Sequence, residues 1–145
     1  MTDFAGVFKI GNFYSDKTSY IELLEKRQSN AFTLFRPRRF GKTLFLTTLD
    51  YYYNVLYKDI FKDLFGHLYI GKSFNGTNHN TFLVLKVDFS FLDRSGIQKF
   101  EENLNKIINT SVQKFIDEYK IFLTKAEIII DKNDAVASFD SLCNS

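Results

Sequence analysis

Apolar residues recur every three to four positions from Ile97 to Tyr119, where Ile97, Phe100, Leu104, Ile107, Ile108, Val112, Phe115, Ile116 and Tyr119 form one stripe separated by Glu, Asn, Lys and Gln. That period predicts an amphipathic helix of about six turns, the clearest element in the chain. A shorter stripe of Tyr20, Leu23 and Leu24 predicts a helix over Ser19–Lys26 that ends before Asn30, with Asp16 or Thr18 in the polar stretch Asn12–Thr18 placed to cap it. A third helical pattern starts at Leu44 and carries Phe45, Leu46, Leu49, Tyr52, Tyr53 and Leu56, with no glycine or proline from Lys42 through Asp63. Two runs follow a different rule. Ala31-Phe32-Thr33-Leu34-Phe35 and Thr81-Phe82-Leu83-Val84-Leu85-Lys86-Val87-Asp88 are short, aromatic and β-branched, and read as buried strands, with Gly71–Asn80 as a loop before the second. Strand, loop, helix, loop, strand is the opening of a parallel α/β sheet. The tail from Ala126 to Ser145 carries one apolar patch, Ile128-Ile129-Ile130, then Asp131, Asn133 and Asp134 before a helical turn, and the pattern there determines little.

Composition narrows the class. A chain of 145 residues is the size of one domain, and such a domain buries about two thirds of its unfolded surface. Nothing in the pattern marks a second domain within 1–145, since the only proline is Pro37 and the seven glycines are scattered. The 19 basic and 17 acidic residues leave a net charge of +2, so no global field holds the molecule on nucleic acid or an anionic membrane, and any anion site must be local. Cys143 stands alone, and His67 and His79 lie far from it in sequence, which argues against a disulfide or a metal cluster and for a reducing setting. The start, Met1 to Gly6, lacks a basic segment followed by an apolar core, and no run approaches the ~18 apolar residues of a membrane span. A cytoplasmic protein without a membrane partner is expected.

The candidate chemistry sits between the first expected strand and the helix after it. Phe35-Arg36-Pro37-Arg38-Arg39-Phe40-Gly41-Lys42-Thr43 ends in the GKT of a phosphate-binding loop, or Walker A motif. In that motif, written GxxxxGK[ST], backbone N–H groups wrap a phosphate, the lysine reaches the β and γ oxygens and the hydroxyl coordinates Mg²⁺. A helix opening at this point adds its positive dipole end and unpaired amides. The departure is Arg36, where the motif has glycine, followed by Pro37, which has no amide hydrogen. An arginine there means either a different loop path or a defective loop. Arg36, Arg38 and Arg39 read as phosphate clamps, as a small nucleic-acid contact, or as a solvated basic cluster. Their crowding beside Lys42 calls for an anion or acid partner nearby.

Several linked segments carry a resemblance. RPRRFGKT from Arg36, FYSDKTSYIELL from Phe13, FLTTLDYYY from Phe45, DLFGHLYIGKS from Asp63 and FLVLKVDFS from Phe82 together resemble the AAA-ATPase-like family of bacterial and archaeal proteins. The likeness covers about Ile10 to Tyr119 and leaves 121–145 undetermined. It implies a partial P-loop NTPase-like sheet with flanking helices, and an Mg²⁺–ATP site made by Arg36, Pro37, Arg38, Arg39, Phe40, Gly41, Lys42 and Thr43, with Thr43 on the metal. It also implies that Arg36 is normal to the loop. Members of the family continue into an acidic LIDEYD-type strand, the Walker B element. No such strand is recognisable here, so the domain is expected to be incomplete and truncated before it, with another chain as a possible completion of the ATPase core.

Hydrolysis needs an acid beside the loop to hold Mg²⁺ through water. Asp88 ends an apolar run as such an acid would, but Phe89 follows where a glutamate is expected. Asp131 ends the isoleucine patch, and Lys132-Asn133-Asp134 after it reads as a solvated turn. Asp16 and Lys17 stand either on the base or ribose side of a nucleotide or in a helix cap. The expectation is therefore an ATP-binding front end that does not hydrolyse unaided. The alternatives are a basic-loop module for nucleic acid and an inactive gene remnant.

Overall fold

A computed structural model describes residues 3–9, 13–27, 31–73, 76, 78–93, 95–124 and 127–144. Of the positions named above, Met1, Thr2, Ile10, Asn12, Asn30, Ala126 and Ser145 lie outside these, as do 74, 75 and 77 of the expected loop. The described residues form helices α1 (Phe4–Lys9), α2 (Ser19–Lys26), α3 (Lys42–Tyr53), α4 (Phe61–Phe65), α5 (Tyr69–Ser73), α6 (Ile97–Glu118) and α7 (Ala135–Cys143), with a 3₁₀ segment Val55–Ile60 leading into α4. They fall into two compact units, Met1–Leu83 and Val84–Ser145.

The core of the first unit is aromatic. Phe4, fully buried on α1, stacks on Phe65 with ring centroids 4.9 Å apart and meets the edges of Phe8 and Tyr14. Tyr52 of α3 and Ile21 of α2 close the same cluster. Polar bonds tie α1 to α3: Phe4 N donates to Thr47 Oγ1 at 3.1 Å, and the Tyr51 hydroxyl donates to Asp3 Oδ2 at 3.0 Å. The sequence pattern does not announce α1. Its six residues are too few to display a helical period, and rings from outside the helix, Tyr14, Tyr51 and Phe65, help bury Phe4. In α2 the pattern finds the helix but picks the wrong face: Ile21 is the core residue, whereas Leu23 is half exposed.

The third helix is shorter than its apolar pattern because its last carbonyls are claimed from outside. Asn80 N donates to Tyr52 O at 2.8 Å and Phe82 N to Tyr53 O at 3.0 Å. The Asn80 side-chain amide donates to Asn54 O at 2.7 Å and Tyr51 O at 3.2 Å. Asn54 completes the stop by accepting from Leu56 N and donating to Asp50 Oδ1. Carbonyls at a helix C-terminus lack intrahelical donors, and here a single loop supplies them. Gly71 is another fixed point, since a Cβ there would lie 2.1 Å from Phe65 O; it lies in α5, which runs into the first residues of the stretch 71–80 that reads as loop.

The expected α/β sheet is not present: among the described residues there is no strand, and the reading of a partial P-loop NTPase-like sheet is corrected. Only an isolated parallel bridge joins Asn54 and Phe82. The reason lies in where the backbone groups go. A strand needs a neighbour for its N–H and C=O groups. In 80–82 those groups bond to the end of α3, and in the second unit Val84 N donates to the Tyr119 hydroxyl at 3.0 Å. Ala31–Phe35 belongs to no strand among the described residues, and Phe35 is 88% exposed rather than buried.

In the second unit α6 forms over nearly the span its pattern predicts, burying Val112 and Phe115, with Tyr119 buried just past its end. Asp134 caps α7 by accepting from Val136 N and Ala137 N. The isoleucine patch before it is held by side chains instead of a sheet. Ile129 N donates to Ser141 Oγ and Asp131 N to Ser138 Oγ, while Asn109 and Asn105 of α6 donate to Asp131 O and Asn133 O.

Asn80 joins two roles, because its backbone is left-handed at φ 52° and its buried amide bonds two carbonyls. Asn80→Ala should cost about 2 kcal/mol in urea unfolding. Asn80→Gly, which tolerates the backbone but lacks the amide, should recover only a minor part; full recovery would assign the effect to φ alone.

Candidate functional site

The loop 35–43 leads directly into α3. Its left-handed residues are Arg39 (φ 68°) and Gly41 (φ 73°), whereas Arg36 is not left-handed. The absence of glycine at Arg36 therefore imposes no strain, because the path places its sharp turns later. Gly41 in the left-handed region followed by helical Lys42 is the alternation that turns successive N–H groups to one side. A side chain at Gly41 would meet nothing within 4 Å, so backbone conformation and not crowding demands glycine there.

Lys42 folds back over the loop. Its ammonium donates to Arg36 O at 2.5 Å and Pro37 O at 3.2 Å. Pro37, which lacks a donor, serves through its carbonyl, which also accepts from Phe40 N. The Arg36 guanidinium stands 5.8 Å from the centroid of the Tyr20 ring on α2, a cation–π contact worth about 0.5–1 kcal/mol at an exposed site. Arg38, Arg39, Phe40 and Thr43 are exposed. A lysine ammonium, the amides of a helix N-terminus and flanking arginines converge in one short segment, and that arrangement can bind an anion.

Beside the loop opens a cleft of about 780 Å³ that reaches Arg36, Phe40 and Gly41. Tyr20, Leu23 and Leu24 line it instead of packing into the core. The sequence pattern missed this because an apolar stripe looks the same whether it faces a core or a cleft. The only available signal was a second apolar direction on α2, marked by Ile21.

Asp16 and Lys17 part company. Lys17 lines the cleft. Asp16 is structural: one oxygen accepts from Thr18 N and the Thr18 hydroxyl, the other from Tyr69 N at 2.7 Å, and Thr18 Oγ1 in turn accepts from Ile70 N. The pair thus holds α5 against the start of α2, and Thr18 makes no side-chain cap bond to α2 itself. Burial opposes the Asp16 charge, but the hydrogen bonds from Tyr69 and Thr18 outweigh it and hold the carboxyl below its usual 3.8.

Asp88 belongs to the second unit, where its exposed carboxylate accepts from Ser90 N at 2.9 Å, the bond that lowers its pKa. Asp131 likewise accepts from Asn133 N in an exposed bend. Among the described residues no three His, Cys, Asp or Glu side chains group as metal ligands. No helix among them is long and apolar enough to cross a membrane.

A basic loop thus opens a helix beside an apolar cleft. Residues 1–144 match the model of the family described as predicted AAA-ATPase, and the chain belongs to that family. The match runs through both units. No curated protein and no solved structure matches the chain.

The depressed Asp16 pKa sets a pH test. Its contact contributes stability fully above the ordinary value of 3.8 and loses it as pH falls through the lower folded value. Asp16→Asn should be less stable by about 1 kcal/mol at neutral pH. It should also lose less stability than the parent between about pH 5 and pH 3, measured by urea unfolding at each pH.

Proposed function

We propose that the chain binds ATP as its magnesium complex, with residues 35–43 as the phosphate-binding loop. The observation that carries this reading is Lys42, seated at the N-terminus of α3 with its ammonium on the carbonyls of Arg36 and Pro37. Those neutral acceptors hold the cation at the loop until phosphate oxygens replace them, and charge-assisted bonds to an anion are the stronger ones. The first amides of α3 have no carbonyl one turn earlier, so they are donors in search of an acceptor. Family membership supplies the general expectation of ATP and Mg²⁺.

The residues fit that ligand. Gly41 keeps the loop surface free of a side chain, Arg38 and Arg39 are exposed beside it, and the Thr43 hydroxyl in the first turn of α3 is the group that would hold Mg²⁺. Magnesium, when bound, neutralises charge on the β and γ oxygens. Lys42 does the same from the protein side and fixes the triphosphate in the loop. No carboxylate of the first unit is assigned to orient an attacking water, so the reading is of nucleotide binding and not of unaided turnover.

Calorimetry of the intact chain with Mg-ATP tests this directly. Lys42→Ala should weaken binding by about tenfold to a hundredfold; a variant that binds as tightly as the parent would show the loop reading to be wrong. A phosphate-release assay on the same samples should stay at background. Sustained release from the parent that disappears in Lys42→Ala would overturn the view that the chain does not hydrolyse alone.

A further inference from the structure

We propose that Tyr20 of α2 is a positioning residue for the phosphate-binding loop, acting through Arg36, a reading that rests on the loop being the phosphate site. The three loop arginines differ in their surroundings: Arg38 and Arg39 are exposed, whereas Arg36 is half-buried with its guanidinium 5.8 Å from the centroid of the Tyr20 ring. A planar, weakly hydrated guanidinium is the cation best suited to lie on an aromatic face. The same ring meets Phe45 edge-on, with centroids 6.3 Å apart and planes at 81°. Phe45 belongs to the first turn of α3, and its N–H donates to Gly41 O at 2.9 Å. Tyr20 therefore touches a residue on each side of the turn, Arg36 before it and Phe45 after it.

Arg36 is also the link to Lys42, because its carbonyl accepts from the ammonium. Side chain and carbonyl sit on one residue, so fixing the guanidinium against Tyr20 restricts where that carbonyl can be. The support is itself fixed. Ile21, next to Tyr20, is fully buried in the core, and Thr18 and Asp16 bond the backbone of Ile70 and Tyr69. The loop needs such a brace. Arg39 has a side chain yet stands in the left-handed region at φ 68°, a conformation that costs about 1–2 kcal/mol in an L-residue. Backbone of that kind persists where its surroundings over-determine it. Within the loop the turn is closed by Phe40 N on Pro37 O at 3.4 Å, a long bond. The contact from α2 supplies a constraint from outside.

Calorimetry of the intact chain with the magnesium complexes of ATP and of tripolyphosphate provides the test. Tyr20→Leu should weaken both ligands by the same factor, about twofold to fivefold, as the loop leaves its binding path part of the time. Tyr20→Phe, which keeps the ring face, should bind both as the parent does. Added to Arg36→Met, Tyr20→Leu should cost nothing further, since its partner is already gone. Loss with ATP and none with tripolyphosphate would overturn the proposal by showing that the ring touches the ligand itself. An undiminished cost in the Arg36→Met background would overturn it by separating Tyr20 from Arg36. A loss in Tyr20→Phe equal to that in Tyr20→Leu would move the role to the hydroxyl and overturn it as well. Tyr20→Leu binding both ligands as tightly as the parent would remove the inference and leave the loop as phosphate site intact. A parent chain that binds neither ligand would remove the loop reading itself and this inference with it.

Discussion

A helix leaves amides without partners at one end and carbonyls without partners at the other, and the first unit is organised around how α3 resolves both. At its C-terminal end the carbonyls of Tyr51, Tyr52, Tyr53 and Asn54 are bonded by Asn80 and Phe82. At its N-terminal end the Lys42 ammonium bonds the carbonyls of Arg36 and Pro37, and the left-handed turn at Gly41 borders a cleft. Closing one end against protein anchors the helix, and the other end is where the anion site is proposed. The proposed site is thus a property of the helix that carries it.

The remaining elements of that unit serve this helix. Phe4 and Tyr52 pack α1 and α3 onto Phe65 of α4, and Asp16 with Thr18 holds α5 to the start of α2. The second helix then has two jobs: Ile21 reaches the core, while Tyr20 presents its ring to Arg36. One helix thereby connects core packing to the position of a loop arginine. An arginine where the familiar loop has glycine is accommodated because the left-handed turns fall at Arg39 and Gly41. The proposal of nucleotide binding joins membership in the predicted AAA-ATPase family to the Lys42 geometry.

The missing sheet illustrates what hydrogen bonding decides. Thr81–Asp88 has the composition of a strand, yet Phe82 N bonds the end of α3 and the Val84 backbone bonds the hydroxyl of Tyr119. Composition expresses only a preference for extended backbone. Whether an extended segment becomes a strand depends on a neighbour arriving at the right distance with its own free groups. The isoleucine patch makes the same point, for serine and asparagine side chains take the bonds that a ladder would.

By itself the sequence determined the elements whose information is local: the period of α6, the extent of α2, the presence of a helix following the basic loop and the identity of the loop residues. Turns and helical stripes act within a few positions, so they can be read directly. The tertiary structure alone decided that α1 exists, that α3 stops at Tyr53, that Tyr20, Leu23 and Leu24 line a cleft and that no sheet forms among the described residues. Each of these depends on groups far apart in the chain, such as Asn80 on α3 or Phe65 on Phe4. An apolar side chain carries no mark of which neighbour will cover it, and a backbone amide carries no mark of which carbonyl will accept its hydrogen.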